Sequence, residues 1–336
     1  MAVELLTHAY PALALAFRNR RVVVTGGAGF IGSHLTAALC ALGAEVVVVD
    51  SLISSSRQNL VGLPCRVLPV DITAGRNCAP AFKHASIVFH LAALGSVPRS
   101  LEDPFGYVRT NIVGTTNVLQ LARAAAVKRV VFAASSSAYG DSPELPKTET
   151  MLPQPLSPYA ATKVAGEQLM HAYAHSFGIT TVSLRYFNVF GPRQSASSAY
   201  AAVIAAFASA LLQGNPPVIF GDGTQSRDFT PVANVVLANL LAAIAPHEKV
   251  AGRVYNVGCG RSISVNELAS QMQSLTQRPD LVPEYRPARG GDVLHSLADL
   301  SQAKADLGYK PIVDFETGLR ETVDWYRSAA GISRTA

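Results

Sequence analysis

Residues 25–33 read Thr-Gly-Gly-Ala-Gly-Phe-Ile-Gly-Ser directly after the apolar run Val22–Val24. Gly26, Gly29 and Gly32 stand at the spacing that turns a strand sharply into a helix while its backbone stays within reach of a pyrophosphate. Such a turn belongs in a parallel sheet, and the chain supplies one. Val22–Thr25, Glu45–Asp50, Arg66–Pro69, Ile87–His90, Val130–Ala134 and Thr181–Arg185 read as strands buried on both faces. Ser33–Leu42, Asn111–Ala125 and Tyr159–Phe177 read as the helices between them. That alternation predicts an α/β fold with a doubly wound parallel sheet, with ligands at the carboxyl ends of its strands.

After about residue 190 the pattern changes. Short loops rich in Gly, Pro and Arg, such as Gln213–Pro217, Gly221–Gly223 and Arg286–Asp292, separate helical segments. The expected division is an N-terminal extension helix (1–20), a dinucleotide-binding domain (21–190) and a mainly substrate-binding lobe (191–330), with Tyr255–Val257 placed to return to the main sheet. Met1 to Arg20 reads as an added surface helix, because Glu4 sits where a signal peptide would be basic.

At 336 residues and 49% hydrophobic, the chain can bury a full core. Its net charge of +5 is scattered rather than run together, which argues against a nucleic-acid partner and suits a small anionic substrate. The longest apolar run, Tyr200 to Leu212, is too short to span a bilayer. Cys40, Cys65, Cys78 and Cys259 form no Cys-x-x-Cys pair, so neither disulfides nor a metal is expected, and a cytoplasmic location fits.

Asp50 ends an all-valine run 18 residues after Gly32. A carboxylate there accepts from adenosine ribose hydroxyls and repels a 2′-phosphate, so the expected cofactor is NAD. The expected cofactor wall is Gly26, Gly29, Phe30, Ile31, Gly32, Asp50, Asp71, Ile72, Leu91, Ala92, Ala93, Asn111, Tyr159 and Lys163. Tyr159 and Lys163 lie one helical turn apart on one face. A free phenol is a poor base near neutrality, and the ammonium is expected to favour the phenolate. Ser135-Ser136-Ser137 ends the strand Val130–Ala134, so Ser135 can orient a substrate hydroxyl in the same cavity. The catalytic set is thus Ser135, Tyr159 and Lys163.

From Gly26 almost to Trp325 the chain resembles the extended short-chain dehydrogenase/reductase family, and within it the nucleotide-sugar epimerases. The resemblance implies a Rossmann-type sheet and a Tyr-x-x-x-Lys active site. Dehydratases of the family carry an Asp-Glu pair after the catalytic hydroxyl, and decarboxylases a Glu; this chain has Ser136 and Ser137. Elimination therefore lacks its carboxylates, and redox-neutral epimerisation is implied. Arg227, in Ser226-Arg-Asp-Phe229, and Arg289, in Arg289-Gly-Gly-Asp292, match the family's diphosphate-binding arginines. Asp292 resembles its ribose-holding carboxylate, and Asn188 its sugar–diphosphate contact. The remaining substrate wall is implied to be Gly95, Ser96, Ser135, Ser136, Tyr159, Ala202, Val203 and Ser296.

Residues 93–100, 198–203 and 295–299 look most like UDP-N-acetylglucosamine C4-epimerases. The implied reaction inverts C4 through a transient 4-keto sugar and NADH. The implied assembly is a homodimer built on a four-helix interface. The rival readings are UDP-glucose or UDP-glucuronate 4-epimerisation, 4,6-dehydration, and a non-catalytic NAD sensor.

Overall fold

The computed structural model describes residues 9–196, 202–288 and 293–332. Seven parallel strands form the main sheet: β1 (Arg21–Thr25), β2 (Glu45–Val49), β3 (Cys65–Leu68), β4 (Ile87–His90), β5 (Arg129–Ser135), β6 (Thr180–Tyr186) and β7 (Arg253–Val257). Their order across the sheet is β7-β6-β5-β4-β1-β2-β3. The order reverses between β1 and β4, and a crevice opens there at the strands' carboxyl ends.

Alternate side chains of each strand serve opposite faces. Val22, Val24, Val46, Val48, Phe89 and Val131 pack on one side, with residues of α1 (Ala12–Phe17), α2 (Phe30–Ala41) and α6 (Val232–Ile244). Val23, Val47, Val88, Val130 and Phe132 pack on the other, with α3 (Gly114–Ala124) and α4 (Pro158–Phe177). β3 corrects one expectation: it is an edge strand, and Arg66 projects to solvent rather than into a second buried face. The N-terminal helix also differs from a purely surface element. Leu13 and Phe17 of α1 are fully buried against the sheet, each worth about 1.5–3 kcal/mol.

Two local choices position the catalytic helix. Ser157 caps α4 by accepting from the Ala160 N–H at 3.2 Å, with Pro158 in the first turn, and Gly178 closes the helix in the left-handed conformation. Tyr159 therefore stands in the first turn and Lys163 in the next. The stretch expected to begin a helix at Asn111 is instead a π-helical turn, Val108–Val113, running into α3.

A second hydrophobic cluster joins Phe190, Phe207, Phe229, Leu268, Met272 and Phe315, from α5 (Val203–Leu212), α7 (Val265–Thr276), α8 (Phe315–Ala329) and intervening segments. The lobes interleave along the chain, because α6 and β7 leave this cluster to pack on the main sheet. Among the described residues no helix is long and apolar enough to cross a membrane, and no group of residues is arranged to hold a metal.

Candidate active site

The glycine loop is built by close approach. Gly26 has φ +71°, and a Cβ there would lie 2.7 Å from the Ala92 nitrogen. A Cβ on Gly32 would come within 2.1 Å of the Gly26 carbonyl oxygen. Gly29 caps α2 without a side chain, so the helix's positive end is left for an anion. Asp50 ties the loop together: Oδ2 accepts from the Ala28 N–H at 2.9 Å, and Oδ1 from the Leu52 N–H at 2.9 Å and the Ser55 hydroxyl at 2.6 Å. Its carboxylate stays at the wall of a cavity of about 600 Å³ running across the sheet's carboxyl end.

That cavity is lined by Gly26, Gly29, Phe30, Ile31, Gly32, Asp50, Asp71, Ile72, Leu91, Ala92, Ala93, Gly95, Tyr159 and Lys163. Its cradle of glycines, open helix end and acidic rim fits a dinucleotide without a 2′-phosphate. Asn111 lies just behind that lining, next to Leu94 and Thr110. Its amide is buried, accepting from the Leu94 N–H at 2.9 Å and donating to the Leu94 carbonyl at 3.1 Å and the Thr162 hydroxyl at 3.0 Å. It splints the loop after β4 to α4, which a π turn makes reachable.

Arg109, Thr110 and Tyr186 also line the cavity and were not expected. Tyr186 ends a strand, the position at which ligand contacts concentrate. The arginine's turn gives no such signal.

Ser135 neighbours the Tyr159 hydroxyl, and its own Oγ accepts from the Ser137 N–H at 3.2 Å and from the Ser137 hydroxyl at 2.9 Å. Burial raises the Tyr159 pKa above 10, the Ser135 bond pulls it back, and nearby Tyr107 adds to the rise. The Lys163 ammonium donates to the Ala133 carbonyl at 2.8 Å and lies 6.0 Å from the Tyr159 ring centre. Burial depresses the Lys163 pKa to about 8, partly offset by Glu167. Burial thus opposes the phenolate, which is the rise that the charges of Lys163 and of bound NAD are expected to counter.

A second cavity of about 270 Å³ holds Asn188, Ala202, Val203 and Arg227 among Phe207, Phe220 and Phe229. Arg227 donates to the carbonyls of Ser226 and Leu294, both at 3.0 Å. Ser96 lies outside both cavity walls and caps the short helix Val97–Glu102, accepting from the Arg99 N–H at 3.3 Å. Ser135, Ser136 and Ser296 are likewise outside the two linings. Ser296 is buried, and its N–H donates to the Ser226 carbonyl at 3.0 Å. Arg289 and Asp292 lie outside the described residues.

Asp228 was missed because a buried loop carboxylate has no local sequence signal. It is fully buried and accepts from the N–H groups of Cys259 at 2.7 Å, Gly260 at 2.9 Å and Ala298 at 3.2 Å. Burial raises its pKa from 3.8 to about 6 in spite of those bonds. Between those values the folded chain holds a proton that the unfolded chain releases, so this group's contribution to stability falls as pH rises through the window. Asp228→Asn does not titrate there. Its melting temperature should therefore gain on wild type between about pH 4 and pH 6. Thermal melts across that range test this, and a constant difference would contradict it.

The comparisons agree with this geometry. Residues 22–258 match the model of the NAD dependent epimerase/dehydratase family. The chain belongs to that family. It is an enzyme of it, with NAD as cofactor. The UDP-glucose 4-epimerase of Mycolicibacterium smegmatis is 37% identical over 318 residues, covering 92% of this chain and 99% of that one. Among solved structures, a UDP-N-acetylglucosamine 4-epimerase from Methanobrevibacter ruminantium in complex with UDP-N-acetylmuramic acid superposes with a TM-score of 0.88 at 39% identity, covering 93% of this chain and 100% of the other. The Thermus thermophilus UDP-glucose 4-epimerase complex with NAD gives 0.84 at 36% identity, over 92% and 99%.

Proposed function

We propose that this NAD-dependent epimerase interconverts UDP-N-acetylglucosamine and UDP-N-acetylgalactosamine by inverting C4. The observation that carries the reaction type is the run Ser135-Ser136-Ser137 beside Tyr159: a hydroxyl to hold the sugar oxygen, and no carboxylate following it to drive elimination. NAD, when bound, supplies a reversible two-electron sink at C4. Tyr159 takes the proton of the C4 hydroxyl and returns it to the same oxygen once the sugar has turned over. Ser135 orients that oxygen, and the Lys163 ammonium grips the nicotinamide ribose beside Tyr159. Arg227, with Arg289, holds the diphosphate through planar guanidinium donors, Asp292 the uridine ribose, and Asn188 the junction between sugar and diphosphate.

We place the enzyme in the cytoplasm, in keeping with its four free cysteines. We also propose that it works as a homodimer. Large exposed apolar side chains near α3 and α4 include Leu101, Phe105, Val108 and Val113 on the segment leading into α3, and Leu156 and Phe177 at the two ends of α4. A second copy on this face would cover them.

The preference for acetylated sugars rests on small residues, Ser296, Gly95 and Ala202, at positions that in resembling enzymes bound the C2 substituent. Ser296→Tyr should lower kcat/KM for UDP-N-acetylglucosamine and UDP-N-acetylgalactosamine more than for UDP-glucose and UDP-galactose. The unacetylated pair should feel only overpacking, about 1–3 kcal/mol. Steady-state assays on both pairs decide it, with thermal melts to exclude unfolding. Equal losses would remove Ser296 from the C2 pocket.

A further inference from the structure

The short strand Val189–Phe190 runs into Gly191-Pro192-Arg193-Gln194, and Arg193 adopts φ +68°, the left-handed region that arginine seldom occupies. The loop is fastened on both sides. His34 of α2 donates a ring N–H to the Pro192 carbonyl at 2.8 Å. The Gln194 side chain donates to the Val189 carbonyl at 3.1 Å, and the Tyr326 hydroxyl of α8 donates to the Gln194 carbonyl. This clamped turn holds Arg193 with one face of its guanidinium turned inward. Arg193 Nη1 is buried without a hydrogen-bond partner, as is Gln194 Oε1.

Both residues line a cleft of about 760 Å³. It shares Gly29, Phe30, Ser54 and Ser55 with the dinucleotide cavity, so the two spaces meet at the α2 N-terminus. Among the described residues, no Asp or Glu lines the cleft. Burial lowers the Arg193 pKa, and its charge in turn helps hold neighbouring His34 neutral. A partly desolvated cation with a buried, unpaired N–H is costly unless an anion completes it. The glycine loop that the cleft adjoins is where a phosphate binds.

We infer that Arg193 is a cofactor-binding residue that grips the dinucleotide diphosphate, supplementing the glycine loop at the N-terminus of α2. A planar guanidinium matches a diphosphate with paired donors, which a lysine cannot reproduce. This rests on the family's NAD dependence and not on the choice of sugar, so it stands or falls without any substrate present.

The test is calorimetric titration of nucleotide-depleted wild type, Arg193→Gln and Arg193→Lys with NAD, ADP-ribose, NADP and adenosine. Arg193→Gln should weaken NAD and ADP-ribose by the same factor, on the order of ten- to a hundredfold, as expected for losing a charge-assisted contact. Adenosine, which lacks the diphosphate, should bind within about twofold of wild type. Arg193→Lys should fall between the two proteins, and it keeps the test available should the Gln variant fold poorly. Unchanged NAD affinity would overturn the inference. An equal loss for adenosine would assign Arg193 to the fold, and a loss confined to NADP would assign it to the 2′-position.

Discussion

Tyr159→Phe should lower turnover by on the order of a hundredfold or more while the NAD content of the purified protein stays at the wild-type level. Only a hydroxyl is removed, from a half-buried side chain in the first turn of a well-capped helix, so the fold has no reason to change. The lost hydroxyl lies beside Ser135 and is the group positioned to take a proton in this cavity. Burial holds the phenol above its ordinary range, so positive charge beside it is needed to favour the phenolate. Proton uptake therefore depends on the charges of Lys163 and of the bound cofactor. Turnover measured alongside nucleotide released on denaturation checks both halves of this expectation. Near-full activity in the variant would remove Tyr159 from the mechanism.

The largest stability loss should come from Arg185→Met, about 3–5 kcal/mol. Arg185 of β6 and Glu167 of α4 form a two-pronged pair, Nε–Oε1 and Nη2–Oε2 both at 2.8 Å, with side chains 3% and 1% exposed. The guanidinium also lies 4.6 Å from the centre of the Tyr139 ring. Removing the arginine strands a carboxylate in the interior, one helical turn beyond Lys163. Replacing both partners with apolar residues removes the stranded carboxylate, so Arg185→Met combined with Glu167→Met should recover part of the loss, the rest reflecting Lys163 and Glu149, which lose a neighbouring opposite charge. Urea unfolding of the two single variants and the double variant measures this. A single-variant cost below about 1 kcal/mol would mean the pair is not sealed from water.

Most of the sheet was readable because its strands are runs of β-branched residues ended by Asp50, Ala92 or Ser135, and burial on both faces leaves such runs no other use. β3 was misjudged on its second face because nothing in four residues distinguishes an edge strand from a central one. The glycine loop and the Tyr159–Lys163 pair were readable because their chemistry depends on local spacing. What local spacing cannot express was lost. The Asn111 amide reaches Leu94 and Thr162 from a π turn, contacts that no local pattern announces. The destination of the Lys163 ammonium was set by a carbonyl 30 residues away. Asp228 collects N–H groups from segments 31, 32 and 70 residues distant, and Arg193 gains meaning only when Phe30 and Ser54 are brought beside it.

The central claim is a redox-neutral inversion at C4 of an acetylated UDP-sugar, with the cofactor recycled inside the site. Its most direct test is proton NMR of purified protein mixed with UDP-N-acetylglucosamine alone, following the sugar H4 signal with no nucleotide added. The account predicts conversion to a mixture with UDP-N-acetylgalactosamine, reached equally from either side and faster than for UDP-glucose or UDP-glucuronate. Accumulation of a 4-keto-6-deoxy sugar, or turnover only on addition of NADPH, would contradict it.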